Sequence, residues 1–485
     1  MSGSHVNPRF MTDASSPLQS DSPSPADTDS RREKLADRLA AQIQDQIVGG
    51  GLTEGSSLGS EAELTDQLGV SRWTVREALN ILENEGTILI RRGRYGGIFI
   101  AAPSADSIGM SIRSYLEFVR VTVDEIVEAR RILDEATLQL ALERVTPADI
   151  VALRQQQNLE SETEGLKAGF VQYETLLAVS RSPVLQTFVR AVGQLGMSAI
   201  LRSTLSDAQL SDTMRVVRLK RREQIEAVIA NRIGRALSIE DTILDATSTL
   251  LESACPSHDA ETAAARLRAL HLLDNARRFK RPELLMQEIT SDIVARGWPV
   301  GEHLGSEAEL LARYNVSRSA FREAVRSLEQ IGVVEMRTGR RSGLKSGSPN
   351  PDKVVSGTVR QFSRLGIAAA SFQEALSAIG APAAALAAQQ SAIESDLREL
   401  ARGPIGPFFS AIGSMSGNRI LALFMQILAV NEAGSNDDAP GRKAKPNGHP
   451  AQEYDVALAI ANSICAGDAS LAHRNFLALQ AFRAR

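Results

Sequence analysis

The chain has 485 residues, enough for roughly three or four domains of ordinary size, and 43% of them are hydrophobic, so sizeable cores can be buried. The net charge is −4, and the two cysteines lie one in each half, which argues against a disulfide framework or a cysteine-rich metal site. The longest apolar run, residues 420–430, is about half as long as a membrane span, and no charged-then-apolar leader opens the chain. We therefore expect a cytoplasmic protein without a membrane partner.

Residues 1–30 are rich in Ser, Pro and Asp and predict a disordered tail. The segment at residues 58–97, which begins LGSEAEL, is repeated at residues 304–343, where it aligns without a gap and with about half of the positions identical. The two copies are 246 residues apart, a spacing far longer than the ~20 to 50 residues of solenoid repeats. A protein-sized unit has been duplicated, which suggests a dimer made covalent.

Each copy predicts three helices. A first helix is indicated by apolar residues at every fourth position, namely Leu39, Ile43 and Ile47 in one copy and Leu285, Ile289 and Ile293 in the other. A second, short helix starts at an S-x-x-E capping box and stops near a residue suited to a left-handed turn, which gives Ser60, Glu63 and Gly69, and again Ser306, Glu309 and Asn315. Ser71 and Ser317 can each cap the third helix.

The third helix has one apolar and one basic face. The apolar positions are Val75, Ala78, Leu79 and Leu82, repeated as Phe321, Ala324, Val325 and Leu328. Arginines one turn apart share the opposite face, Arg72 with Arg76 and Arg318 with Arg322. Guanidinium forks at the exposed start of such a helix suit bidentate contacts with guanine or phosphate in a major groove. The alternative, a merely solvated helix face, is disfavoured because the pattern occurs twice.

A β-hairpin with a basic, glycine-rich tip follows the third helix in each copy, in TILIRRGRYGGIFI and VVEMRTGRRSGLKS. Its arginines would lie along phosphates or reach into a minor groove; they are Arg91, Arg92, Arg94, Arg337, Arg340 and Arg341. A phosphate-cradling nucleotide loop is the rival interpretation. It is weak, because no GxxxxGK[ST] occurs and the glycines lie between two strands.

Local charge differs between the two copies. Residues 58–97 hold five arginines and six acids, a net charge of −1, whereas residues 304–345 hold eight basic residues and five acids, a net charge of +3. We therefore expect the second copy to bind nonspecific DNA more strongly and the first to depend more on base contacts.

These motifs, L-x-S-E-x-E-L, then V-S-R-x-x-x-R-E-A, then a glycine-rich wing, resemble the signature of the GntR-type winged helix-turn-helix repressors. One departure is that Gly59 and Gly305 replace the usual proline. The resemblance implies DNA contacts at Ser71, Arg72, Thr74, Arg76, Arg92 and Gly93, and at Ser317, Arg318, Ser319, Arg322, Thr338 and Gly339. Trp73 of the first copy stands where the second copy has Ser319. We add Trp73 to the expected DNA contacts, through a thymine methyl or sugar, although packing of its ring on the wing of its own head is an equal alternative. Two different copies can favour an imperfect or asymmetric operator.

Amphipathic helices follow each copy, and the resemblance makes them FCD effector domains of the FadR subfamily. Many members hold a metal there through one Asp and several His. The D-x-x-F-H helix of the family maps onto residues 170–174 and 405–409, which both lack histidine, so no metal or other cofactor is expected. An organic-acid or acyl effector would contact Arg130, Tyr173, Arg215, Arg218 and Arg222. The favoured alternative pairs these arginines with Glu125, Glu128 or Glu174, or exposes them to water.

The predicted fold is mainly α: two winged helix-turn-helix domains, each with three helices and a hairpin wing, are each followed by an all-α FCD-like bundle, as a pseudo-two-fold intrachain dimer. The boundaries are a tail at 1–30, head 1 at 31–102, helical domain 1 at 103–254, a linker at 255–276, head 2 at 277–348 and a degenerate helical domain 2 at 349–485. We expect a regulator, a repressor, that binds a double-stranded operator and senses a small molecule. The alternatives are a DNA-binding protein whose helical domains are purely architectural and, less favoured, an enzyme, for which no catalytic constellation argues. Homodimers of the pseudo-dimeric chain are left open as a further partner.

Overall fold

The computed structural model describes residues 35–36, 38–40, 42–44, 46–47, 55–84, 87–91, 97–100, 105–160, 166–201, 203, 205–253, 281–337, 343–390, 395–437 and 450–483. The predicted tail at 1–30 and linker at 255–276 lie outside these ranges. The chain divides into two compact units, Met1–Ser104 and Ala105–Arg485. Within the described ranges, no helix is both long and apolar enough to cross a membrane.

The first unit contains head 1. Its helices are α1 (residues 35–47, helical wherever described), α2 (Glu61–Leu68) and α3 (Arg72–Asn84). Its strands are β1 (Ser57–Gly59), β2 (Ile88–Arg91) and β3 (Gly97–Ile100), in the antiparallel order β1-β3-β2. The predicted hairpin is confirmed as β2 and β3. The third strand, β1, was not predicted, because three residues are too few to show an alternating pattern.

The capping chemistry explains where α2 begins and ends. Ser60 Oγ accepts a hydrogen bond from the Glu63 N–H at 3.2 Å, and Glu63 Oε2 accepts one from the Ser60 N–H at 2.6 Å. Gly69 ends the helix in the left-handed conformation, with φ 63°. The apolar stripe of α1 and the apolar face of α3 then share one buried core, which includes Leu39, Ile43, Val75 and Leu79.

Head 2 repeats this design inside the second unit. Its elements are α11 (Arg281–Ala295), β4 (His303–Gly305), α12 (Glu307–Tyr314), α13 (Arg318–Gln330), β5 (Val334–Arg337) and β6 (Gly343–Ser346), and its sheet has the order β4-β6-β5. Ser306 and Glu309 form the second capping box, and Asn315 ends α12 with φ 49°. The predicted caps are therefore confirmed in both heads.

The remaining helices form the two helical domains. Helical domain 1 consists of α4 (Ala105–Phe118), α5 (Val123–Arg144), α6 (Pro147–Glu160), α7 (Leu166–Val179), α8 (Pro183–Leu201), α9 (Asp207–Ile229) and α10 (Ile233–Glu252). Helical domain 2 consists of α14 (Pro351–Arg364), α15 (Ala369–Gln389), α16 (Ser395–Leu400), α17 (Ile405–Met415), α18 (Arg419–Asp437), α19 (Pro450–Cys465) and α20 (Ala469–Arg483).

The duplication extends through these helices. The helices α4 and α14 correspond at both ends with the same spacing as the heads, and α5 and α15 begin with it. After the short α16 the spacing is smaller but again constant. At this spacing α8 and α18 correspond at both ends, the last residues of α9 and α19 correspond, and the first residues of α10 and α20 correspond. The two helical domains are therefore structural copies, with a shortening in the region of α6 and α16.

The two helical domains pack against each other within the chain. Asn418 donates to the Glu125 backbone carbonyl at 3.0 Å and to Glu128 Oε2 at 2.8 Å. At the repeat-equivalent positions of Asn418 and Glu125, the hydroxyls of Ser182 and Ser371 lie 3.5 Å apart. Because this contact recurs at equivalent positions with the roles of the domains exchanged, the pairing has the isologous arrangement of a two-fold dimer.

Head 2 is docked on the α4 end of helical domain 1. The ring of Trp298 meets that of Phe118 edge-on, with centroids 5.2 Å apart, and Arg120 Nη2 donates to the Gly297 carbonyl at 2.6 Å. The indole N–H of Trp298 donates to the Gly347 carbonyl at 3.0 Å. Trp298 adopts a left-handed φ of 52°, a conformation that is costly for a large side chain. Burial of its ring, which is 6% exposed, offsets that cost.

Candidate nucleic-acid interface and domain cores

The helices α3 and α13, hereafter the recognition helices, each bury one face and expose the other. The predicted apolar faces are confirmed: all eight side chains, from Val75 to Leu82 and from Phe321 to Leu328, are at most 3% exposed. The side chains of Arg76, Arg318 and Arg322 are 65%, 67% and 52% exposed. Arg72 and Ser319 are also exposed, and Trp73 is 47% exposed. A basic face is therefore presented outward on each recognition helix.

The serines that precede the recognition helices cap them. Ser71 Oγ accepts from the Thr74 N–H at 3.1 Å, and Ser317 Oγ accepts from the Ala320 N–H at 3.3 Å. The hydroxyls of Ser71 and Thr74 lie 2.8 Å apart, and Thr74 is only 3% exposed. Thr74, which the resemblance implies as a DNA contact, is instead buried with its hydroxyl in the cap of its own helix, where it is not available to DNA.

An acid at the start of the second helix of each head holds the arginines of the recognition helix. Glu61 pairs with Arg76 at 2.7 Å, and its repeat counterpart Glu307 pairs with both Arg318 and Arg322, at 2.9 and 3.1 Å. The hydrogen bond from Arg322 lowers the pKa of Glu307. These acids were not predicted from the sequence as partners of the arginines. The available signal was that both occupy the same repeat position directly after the N-cap serine.

A second acid in each head ties the recognition helix to the wing. Glu83 Oε1 accepts from the Ile90 N–H at 3.3 Å, and its repeat counterpart Glu329 accepts through Oε1 from the Met336 N–H at 2.6 Å. Burial raises the pKa of Glu329, although the Met336 N–H opposes that shift. The angle between the helix and the first wing strand is thus fixed by the same side chain in both heads.

The predicted wing contacts are described only in part. The backbone of Arg91 ends β2 and pairs with Gly97, and Arg337 ends β5, where its exposed guanidinium pairs with Glu335 at 3.1 Å. The tip residues expected to contact DNA lie outside the described residues; they are Arg92, Gly93, Arg94, Thr338, Gly339, Arg340 and Arg341.

In helical domain 1, two of the five predicted effector residues belong to a buried polar network. Arg130 donates to Asp134 Oδ2 through Nε and Nη2, at 3.0 and 2.8 Å, and the Tyr173 hydroxyl donates to the other Asp134 oxygen. Arg221 pairs with Glu240 and stacks over the Tyr173 ring, 4.9 Å from its centroid. The sequence analysis did not single out Asp134, Arg221 or Glu240.

Burial and ion pairing have opposite effects on the pKa values of the carboxyl groups in this network. Burial raises the pKa of the Asp134 carboxyl, and the neighbouring Arg130 offsets only part of that shift. Burial likewise raises the pKa of Tyr173, which keeps its hydroxyl a donor. For Glu240, burial would raise the pKa, but the contacts with Arg221, Gln224 and Arg130 together outweigh burial, and the net shift is downward. Arg221 Nε has no hydrogen-bond partner among the described residues.

The other three predicted effector residues lie elsewhere on α9. Arg215 and Arg222 are exposed and Arg218 is half-buried, and Arg215 is 3.8 Å from Asp212. The acids proposed as alternative partners are occupied differently. Glu174 pairs with Arg190 at 2.9 Å, and Glu125 pairs with Arg419. Neither the expected effector site nor its favoured alternative had identified Arg190 and Arg419 as partners, because these arginines lie on other helices than the acids.

The same place in helical domain 2 is apolar. The repeat positions of the network residues are all buried there: Leu376, Gly380, Phe409, Ala457 and Phe476 stand for Arg130, Asp134, Tyr173, Arg221 and Glu240. The rings of Phe409 and Phe476 are 5.4 Å apart, and a Cβ added at Gly380 would collide with the Phe476 ring. Among the described residues of both domains, no group of three or more His, Cys, Asp or Glu side chains could hold a metal ion.

Two segments of the chain, residues 35–100 and 283–343, match the family model described as bacterial regulatory proteins, gntR family. The chain is 29% identical over 154 residues to the HTH-type transcriptional regulator LutR of Bacillus subtilis, in an alignment that covers 31% of this chain and 69% of LutR. It is 31% identical over 120 residues to the Exu regulon transcriptional regulator of Escherichia coli, in an alignment that covers 25% of this chain and 45% of that relative.

Among solved structures, the chain is similar to a Streptococcus agalactiae GntR protein at 20% identity, with a TM-score of 0.27 and coverage of 42% of this chain and all of that one. The chain spans less than half the length of the Exu regulator that it matches.

Proposed function

We propose that this chain is a regulator of the GntR family, whose segment it carries twice, and that it represses transcription by binding a double-stranded operator with both heads. The observation that carries the proposal is the exposed basic face of a capped, amphipathic recognition helix, present in both heads. An α-helix fits the major groove, and arginines there discriminate guanine through O6 and N7. The proposed base-edge and phosphate contacts of the recognition helices are Ser71, Arg72, Trp73, Arg76, Ser317, Arg318, Ser319 and Arg322.

We propose that the wings supply backbone contacts through Arg91, Arg92, Gly93 and Arg94 and through Arg337, Thr338, Gly339 and Arg340. Contacts to phosphate set the register of a protein on DNA without reading its sequence. The support is the placement of Arg91 and Arg337 at the ends of the first wing strands and the repeated acid that ties each strand to its recognition helix.

The covalent connection of the heads replaces the dimerisation step of a single-headed protein. The isologous packing of the two helical domains provides the support, because it makes one chain the equivalent of a dimer. A tethered second head is present at high effective concentration once the first has bound. Since Trp73 and Ser319 differ, we propose an imperfect or asymmetric operator rather than a strict palindrome. Association of two chains would give four heads.

We place any response to a small organic-acid or acyl effector in helical domain 1 alone. Its polar network holds two guanidinium groups, and Arg221 Nε is a buried donor that an anionic oxygen would satisfy. The apolar core of helical domain 2 offers no comparable donor at the repeat positions. The alternative is that both helical domains are architectural, which the nearly complete internal pairing of Arg130, Asp134 and Tyr173 favours. Thermal-shift screening against organic acids and acyl-CoA separates the two, because only a sensor is stabilised.

We infer a regulatory rather than an enzymatic role, since the named relatives are regulators, and a cytoplasmic location, because the proposed partner is an operator. Footprinting of the full chain on the DNA upstream of its own gene tests the main proposal. The expected result is protection of two half-sites by a single chain, at a concentration at least tenfold below that needed on random DNA. Equal protection of all sequences, or protection of one half-site at every concentration, would overturn it.

A further inference from the structure

On one side of the pseudo-two-fold interface between the helical domains, the guanidinium of an arginine in the chain itself joins the two domains. Arg144, at the C-terminal end of α5, crosses to helical domain 2 and pairs with Glu374 of α15. Its Nη1 also donates to the Ser180 carbonyl of its own domain at 2.7 Å, and to Glu374 Oε2 at 3.3 Å. The guanidinium therefore bridges a carboxylate of one domain and a backbone carbonyl of the other.

On the opposite side of the interface, the same backbone is present without the arginine. Gln390 and Glu128 occupy the repeat positions of Arg144 and Glu374, and Ser416 occupies that of Ser180. Both serines donate their hydroxyl to a carbonyl three residues earlier, at 2.6 and 2.7 Å. Each is followed by a left-handed residue, Arg181 with φ 48° and Gly417 with φ 75°. The carboxylate and the carbonyl turn are thus present on both sides of the interface, whereas the guanidinium is not.

A cavity of about 460 Å³ lies at this second place, lined by Thr122, Asp124, Glu125, Glu128, Gln390, Ser416, Gly417 and Arg419. Three of these residues are acids and one is an arginine. The Arg419 guanidinium is committed to Glu125, with Nε at 2.8 Å from Oε1, and to the Val119 carbonyl at 2.6 Å. Asp124 and Glu128 therefore leave the cavity with an excess of negative charge.

Glu128 has capacity for a further donor. Its Oε2 accepts from Asn418 at 2.8 Å, and a carboxylate has room for about four hydrogen bonds on its two oxygens. A guanidinium donates in a planar fork that fits a carboxylate, as Arg144 does at Glu374. The volume lies in the range of about 300 to 1,000 Å³ that small-molecule sites occupy.

We propose that this cavity binds a small cation with a guanidinium group, which takes the place that Arg144 fills on the opposite side. The ligand's fork would contact Glu128, and a remaining N–H would reach the Ser416 carbonyl. The cavity lies between the helical domains and apart from the polar network of helical domain 1. The proposal is therefore independent of the heads and of the effector site considered above.

Titration calorimetry of the full chain with L-arginine tests the proposal, with L-citrulline as the neutral probe of nearly the same shape. We expect saturable binding of arginine at one site per chain and no measurable binding of citrulline. Glu128→Gln should weaken arginine binding at least about tenfold, because a charged hydrogen-bond partner is lost. Glu135→Gln, an exposed acid on the same helix, is the matched control and should leave binding unchanged.

Gln390→Arg provides a second test that does not depend on removing a carboxylate. This variant carries its own guanidinium at the position equivalent to Arg144, so it should no longer bind arginine and should unfold at a higher temperature than the wild-type chain. Absence of arginine binding to the wild-type chain at low-millimolar concentration, equal binding of citrulline, or unchanged arginine binding by Gln390→Arg would each refute the site.

Discussion

Phe188 of α8 and Phe424 of α18 occupy equivalent positions of the two helical domains and stack on each other, with ring centroids 4.0 Å apart and planes inclined by 6°. A residue that contacts its own repeat counterpart lies on the axis that relates the copies. Both side chains are fully buried. The axis of the intrachain dimer therefore passes through an aromatic pair in the shared core.

Phe424→Ala should lower the free energy of unfolding of the helical domains by about 3 to 5 kcal/mol, because it leaves a cavity and removes the stacking partner of Phe188. The midpoint of chemical denaturation, followed by circular dichroism, measures the effect. Leu477→Ala is the control, since Leu477 is 42% exposed on α20 and should change stability by less than about 0.5 kcal/mol. Equal effects of the two substitutions would contradict the central role of the pair.

Arg72→Ala and Arg318→Ala should each reduce discrimination between operator and random DNA by about 1 to 3 kcal/mol if these arginines read bases. Fluorescence anisotropy with both DNAs at one salt concentration measures the difference. Arg131→Ala, which removes an exposed arginine of α5 paired with Asp241, serves as the control and should leave both affinities unchanged. Equal losses on operator and random DNA would identify the arginine as a phosphate clamp instead.

Local signals allowed most of the heads to be predicted from the sequence. Capping boxes, helix periodicity and β-rich segments act over a few residues, so Ser60 with Glu63 and the apolar face of α3 could be located without a structure. Strand β1 and the pairing of Glu307 with the recognition helix could not. The first is too short to show a pattern, and the second joins residues of two helices whose packing angle the sequence does not state.

The helical domains were predictable as helices but not as sites. Arg130 and Tyr173 were recognised as candidates, yet Arg221 and Glu240 lie on helices that approach only in the folded bundle. The degenerate character of helical domain 2 was predicted, but the contrast at individual positions was hidden, because the repeat spacing shortens partway through the domains and obscures the correspondence of Glu240 with Phe476. Knowledge of the helix bounds was needed to restore that alignment.

Glu307→Gln should raise the affinity of the chain for random DNA about two- to fivefold at low salt. Glu307 pairs with both Arg318 and Arg322, and loss of its negative charge leaves both guanidinium groups available to phosphates. Anisotropy titrations at several salt concentrations measure the change, which should shrink as salt is raised. Glu302→Gln, which removes an acid paired with Arg296 in the same head, is the control. A lower affinity for Glu307→Gln would show instead that the pair orients the arginines for DNA.

The docking of head 2 on α4 can be followed by fluorescence, because the chain has two tryptophans and Trp73→Phe leaves Trp298 alone. Trp298 is buried against Phe118, so its emission should be blue-shifted and weakly quenched by acrylamide. In that background, Phe118→Ala and Arg120→Ala should each shift the emission to the red and increase quenching. Arg131→Ala should have no effect. Unchanged quenching in both the Phe118 and the Arg120 variant would mean that Trp298 is shielded by its own head and not by the docking surface.

Glu125 should make the pairing of the helical domains sensitive to acid. Burial alone would raise its pKa, but hydrogen bonds from Arg419 and from the Thr122 N–H outweigh burial and hold the pKa at about 2, below its ordinary value of 4.5. A carboxyl with a lowered pKa contributes stability that is complete above the unfolded-state pKa and is lost as pH falls towards the folded-state value. Glu125→Gln should therefore unfold at a lower temperature than the wild-type chain at neutral pH.

The difference in unfolding temperature between the wild-type chain and Glu125→Gln should stay constant down to about pH 5 and then narrow as the pH falls below about 4.5. Differential scanning fluorimetry from pH 7 to pH 3 measures it. Glu143→Gln, at an exposed position of the same helix, is the control and should track the wild-type chain throughout. A difference that persists undiminished at pH 3 would show that the Gln side chain disturbs the interface by its shape, because loss of the ionised contact with Arg419 cannot explain it.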